Sequence, residues 1–69
     1  PDHKINWQLR AFLLADLKHY EKALVSYDKA IELEPNDGFI WYSRGWMLFQ
    51  LGQYNEALTS CDQAIALGE

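Results

Sequence analysis

Residues 41–67, WYSRGWMLFQLGQYNEALTSCDQAIAL, decide the fold, because a second version of the same pattern stands 34 positions earlier. Trp7 pairs with Trp41, Arg10 with Arg44, Leu14 with Leu48 and Leu17 with Leu51. Tyr20 then pairs with Tyr54, Ala23 with Ala57, Leu24 with Leu58, Ser26 with Ser60 and Asp28 with Asp62. Ala30 and Ala64, Ile31 and Ile65, and Leu33 and Leu67 close the run, and Pro1 matches Pro35 in the same register. Matches at one fixed spacing mean a single supersecondary unit written twice. Units of that kind stack, and stacking builds extended surfaces on which partners bind.

Within the unit, the spacing is helical. Ala23, Tyr27 and Ala30, and again Ala57, Cys61 and Ala64, recur three and four apart and form one face of a helix. Alanines on that face let a neighbouring helix approach closely, and Trp7, Leu14, Trp41 and Leu48 are the large side chains that fill against them. Four helices are expected, over residues 4–17, 20–34, 38–51 and 54–67. Pro35 stops the second helix because it has no amide hydrogen to donate, and Asn36 or Asp37 offers the next N-cap. Gly52 suits a left-handed C-terminal cap, whereas the matching residue, Lys18, is strained in that conformation. The turns are only a few residues long, so each helix pair is antiparallel. The first unit is placed at residues 4–37 and the second at 38–69. Pro1-Asp2-His3 occupies the place of Pro35-Asn36-Asp37, as the remnant of a preceding joint in a longer array.

Size and charge narrow the function. A chain of 69 residues holds one small domain, which is marginally stable unless stapled or associated. Cys61 is the sole cysteine, so neither an internal disulfide nor a cysteine-rich metal site is expected; its apolar spacing reads as a small core residue. His3 and His19 lie far apart and read as solvated surface histidines, leaving no metal and no cofactor in the expectation. The net charge is −4, and the six basic residues are interspersed with acids rather than gathered in a stripe. Nucleic acid and anionic membrane are therefore not the expected partners. The longest apolar runs, residues 11–15 and 39–42, are too short to span a bilayer, and no signal-peptide pattern opens the sequence, so a cytoplasmic location is expected.

At this point the sequence resembles the tetratricopeptide repeat. The second unit carries Trp41, Gly45, the Leu51-Gly52 turn, Tyr54, Ala57 and Ala64; the first carries Trp7, Ala11, Leu17, Tyr20, Ala23, Tyr27, Ala30 and the closing Pro35. The likeness covers essentially the whole chain. It departs at Arg10 and Arg44, where leucine is common, at Cys61, where an aromatic is usual, and at Glu69, where a proline would close the unit. The resemblance implies an all-α, right-handed superhelical solenoid fragment of two antiparallel helix pairs. Its first helices line a concave face that holds a peptide or partner segment, and it implies no catalysis. Some family members grip a free C-terminal carboxylate with a lysine and asparagines. At the corresponding positions this sequence has Gln8, Phe12 and Ser43, so that clamp is not expected.

Phe39, Tyr42, Trp46 and Phe49 recur at three- and four-residue spacing on the third helix, and Ile5, Gln8, Phe12 and Ala15 occupy the matching positions of the first. By the resemblance, these eight residues lie on or near the concave groove, and they are the candidate partner-binding set. Some of these aromatics also pack against neighbouring first helices, Phe12 near Trp46 in particular. Arg10, Arg44, Asp28 and Asp62 repeat in register and suggest an arginine–aspartate pair, either within each unit or across the joint. No serine–histidine–aspartate set, metal cluster or phosphate-cradling glycine loop is present in the sequence, so the leading expectation is a non-enzymatic protein-interaction module. The competing expectation is self-assembly. Leu58 and Ile65 lie on a final helix with nothing in the sequence to cover it, and burying them in a second copy would give a helix-swapped dimer or an end-to-end stack.

Overall fold

The chain reverses at the two positions that the repeat pairs, Lys18 and Gly52. Both are left-handed, with φ of 66° and 79°. Each closes a helix by the same two hydrogen bonds: Lys18 N–H donates to the Ala15 carbonyl and His19 N–H to that of Leu14, while Gly52 donates to Phe49 and Gln53 to Leu48. This is the Schellman arrangement, which satisfies carbonyls that the helix end leaves unpaired. The first unit therefore places a lysine in the conformation that the second gives to glycine.

The structure is a computed structural model that describes residues 3–68, with side chains described from Asn6 onward. It contains four helices: α1 (His3–Asp16), α2 (Tyr20–Leu33), α3 (Gly38–Gln50) and α4 (Tyr54–Gly68). No strand occurs among the described residues. Each expected boundary lies within a residue of the observed one. Asp37 is the N-cap of α3, its carboxylate accepting from Phe39 N–H at 3.0 Å. Pro1 and Asp2, read as a joint remnant, lie outside the described residues, and His3 already belongs to α1.

Packing is chiefly between neighbours: α1 on α2, α2 on α3 and α3 on α4. The core collects Ala11, Ala23, Tyr27, Ala30, Ile40 and Met47, with Trp7, Leu14, Tyr20, Leu24 and Ile31 packed around it. Ile40 and Met47 belong to α3, so the second hairpin closes over the first along α2. Gly45 shows how tight the fit within the second hairpin is. A Cβ placed there would stand 2.9 Å from Cys61 Sγ and 3.4 Å from the Ala57 carbonyl oxygen. The matching residue of α1 is the fully buried Ala11, for which the repeat places Tyr27 at the position of Cys61.

The expected arginine pairing is present in a different form. Arg44 Nε donates to Asp28 Oδ1 at 2.6 Å, which pins α3 to α2 across the joint. Within the hairpin its partner is serine: Arg44 Nη1 donates to Ser60 Oγ at 2.6 Å, and Arg10 Nη1 donates to Ser26 Oγ at 2.7 Å. Ser26 and Ser60 are fully buried, so each arginine satisfies a hydroxyl that burial would otherwise leave costly. Each guanidinium also lies over its own helix's tryptophan, Arg10 at 6.0 Å from the Trp7 ring and Arg44 at 5.9 Å from that of Trp41. An arginine–aspartate pair inside one hairpin does not form, because the within-unit position is already occupied by serine. Asp62 has no partner among the described residues.

Candidate interaction surface

α3 is apolar nearly all round, and its faces divide the work. Ile40, Ser43 and Met47 are buried toward α2, while Gly45 and Leu48 are buried and Gly45 packs on α4. The remaining stripe holds Phe39, Tyr42, Trp46 and Phe49, which are 65%, 48%, 43% and 51% exposed. These values leave roughly half of each side chain open to solvent.

The rings touch in series. Phe39 and Tyr42 centroids lie 6.4 Å apart, Tyr42 and Trp46 meet edge-on at 6.5 Å, and Trp46 and Phe49 meet edge-on at 5.6 Å. Edge-to-face contact is a favoured geometry for aromatic pairs and braces Tyr42, Trp46 and Phe49, while the Phe39–Tyr42 pair is tilted at 34°. The row continues to Tyr54 at the start of α4, 5.7 Å from Phe49. Tyr54 is not among the residues expected at the site. Its signal in the sequence is its place just past Phe49, and the loop between the helices interrupts that spacing.

Clefts flank α3 on both sides. One, of about 460 Å³, lies between α1 and α3 and brings Gln8, Phe12 and Ala15 together with Phe39 and Trp46. The other, of about 400 Å³, lies between α3 and α4 and is lined by Tyr42, Trp46, Phe49, Tyr54, Leu58 and Cys61. Seven of the eight candidate residues therefore sit along these two clefts. Phe12 is 59% exposed, whereas Gln8 and Ala15 are half-buried. The side chain of Ile5 lies outside the described residues.

Ser43 lines the α1–α3 cleft together with Tyr27. It is buried and shares a hydrogen bond with the Tyr27 hydroxyl; burial pushes the Tyr27 phenol above the ordinary value of 10.0, and the Ser43 bond opposes that shift by less. The surface that α1 and α3 offer is thus mostly aromatic and aliphatic, with the half-buried Gln8 and the buried Ser43 as polar members. No helix among the described residues is long and apolar enough to cross a membrane.

Two family models, both described as tetratricopeptide repeat, match the chain. One covers residues 7–37, from α1 to the joint, and the other covers 26–59, from the middle of α2 to the first half of α4. The second match is 34 residues long (59 − 26 + 1), the same as the internal period, and it is framed on the joint instead of on a hairpin. Together the matches span residues 7–59, well over half of the 69-residue chain. A search of the curated proteins returned no match. The 34-residue period, the paired hairpins and both matches agree: the chain belongs to the tetratricopeptide repeat family, whose repeats generally mediate protein–protein interaction or scaffolding.

Proposed function

We propose that this chain is a non-enzymatic interaction module that takes up an apolar peptide segment along the groove between α1 and α3. The observation that carries the reading is the row of four half-exposed rings in contact on α3: Phe39 and Trp46 line that groove, and Tyr42 and Phe49 extend the apolar surface into the α3–α4 cleft. Contiguous exposed apolar surface on a small domain marks an interaction site, and large aromatics set in clefts are the side chains that most often dominate binding energy. Bracing adds a further advantage. Rings already held by their neighbours lose little freedom when a partner arrives. Phe12 and Gln8 form the opposite wall, with Gln8 placed to orient a peptide amide.

The test is a random peptide library displayed on phage, panned against the immobilised chain and against its Trp46→Ala variant. Trp46 is 43% exposed, so its truncation leaves the core intact, and unchanged helicity by circular dichroism checks this. Peptides rich in apolar residues are expected to bind the wild type and to lose at least about tenfold in affinity for the variant. Absence of enrichment, or equal binding to the variant, overturns the reading.

A further inference from the structure

The joint between α2 and α3 is made of two half-patterns, and each half appears once more, unpaired, on an outer helix. At the joint, α2 offers Leu24, Tyr27, Asp28 and Ile31, and α3 answers with Ile40, Ser43, Arg44 and Met47. Moved on by 34 positions, the first set becomes Leu58, Cys61, Asp62 and Ile65 of α4; moved back by 34, the second becomes Asn6, Leu9, Arg10 and Leu13 of α1. The exposures record what the joint covers. Ser43 and Met47 are each 8% exposed, whereas Leu9 and Leu13 are 56% and 52% exposed. Leu24 and Ile31 are half-buried, whereas Leu58 and Ile65 are 63% and 64% exposed.

We infer that α1 of a second copy docks on α4 in the manner in which α3 docks on α2, so that copies associate head to tail. Charge is complementary at the position that matters. Asp62 has no partner among the described residues, and the exposed Arg10 keeps guanidinium nitrogens free beyond its single bond to Ser26, as Arg44 uses a second nitrogen for Asp28. Volume is complementary as well. At the joint a large Tyr27 faces a small Ser43; on the outer helices the order inverts, and a small Cys61 faces a large Leu9. The sum of the two side chains is thereby roughly kept, as packing requires. The polar departure is Asn6, which stands where the fully buried Ile40 stands in the joint, so copy-to-copy contact is weaker than the internal one. The occupant is a second copy because the complementary face is found in this chain itself. Head-to-tail contact uses two different faces and does not close on itself, so it yields open stacks that grow with concentration. These faces meet the aromatic clefts at Leu9, Leu58 and Cys61, whereas Arg10 and Asp62 line neither cleft, so the charge variants read association apart from peptide uptake by the α3 rings.

Sedimentation equilibrium across a concentration series tests this with four samples: wild type, Asp62→Lys, Arg10→Asp, and an equimolar mixture of the two variants. The wild-type mass is expected to rise with concentration without a plateau at the dimer. Each variant alone sets like charges at the contact and is expected to associate about tenfold more weakly. In the mixture, the lysine introduced on α4 of one variant meets the aspartate introduced on α1 of the other. The reverse contact sets the native Asp62 against the native Arg10, so opposite charges face each other at every alternating contact and wild-type association returns. Arg10→Asp also removes the bond to Ser26. If its helicity falls, the exposed Leu13→Glu serves as the head variant and is likewise expected to weaken association. A wild type that stays monomeric throughout, a plateau at the dimer, or association unchanged by Asp62→Lys overturns the inference.

Discussion

Lys18 is the clearest residue-scale conflict between local preference and repeat geometry. The hairpin turn demands a left-handed residue, and Gly52 meets that demand without a Cβ penalty while Lys18 does not. Lys18→Gly is expected to stabilise the chain by about 1 kcal/mol, read as a higher denaturation midpoint. An unchanged or lower midpoint contradicts the turn geometry. This position was legible in the sequence because the partner unit displays the glycine. The arginines were legible only in part. Their repetition marked a structural role, but which acceptor each fork reaches depends on side-chain geometry that periodicity does not encode. Ser26 and Ser60 repeat in the same register and were the missed signal. For the Arg44–Asp28 pair, side chains 25% and 46% exposed place the coupling at about 1 kcal/mol in a double-mutant cycle, while Arg44 with Asp62 is expected to give none. Equal coupling in the two cycles contradicts the observed partnership.

At the scale of elements, α3 carries both the joint and the candidate site. Its inward face buries Ile40 completely, and its outward face carries the aromatic row. Ile40→Ala is expected to cost about 2–4 kcal/mol, comparable to the whole stability available to a chain this small. Thermal unfolding followed by circular dichroism should then show the cooperative transition lost or shifted far down. A small shift with cooperativity kept would mean that the hairpins do not depend on the joint. All four helices could be read to within a residue, since caps, breakers and three-four spacing act locally. Which stripe of α3 faces outward was less legible, because every stripe of this helix is apolar. The choice between faces is made by the partners, Tyr27 and Ala30 on one side and Ala57 and Cys61 on another. Tyr54 illustrates the same limit: it extends the ring row across a turn, where helical periodicity gives no guidance.

For the whole molecule, one hairpin written twice yields one joint, two outer helices that carry the halves of that joint, and a continuous face along the first helix of each hairpin. That face carries the proposed function. Once the phage library has supplied a binding peptide, titrating it into ¹⁵N-labelled chain and following the amide resonances shows directly where it lands. Shifts gathered on residues 8–15 and 39–49, with α2 unmoved except around Tyr27, which lines the groove, are the predicted result. Shifts centred on α2, or spread evenly over all four helices, would contradict the assignment of the α1–α3 groove as the binding surface.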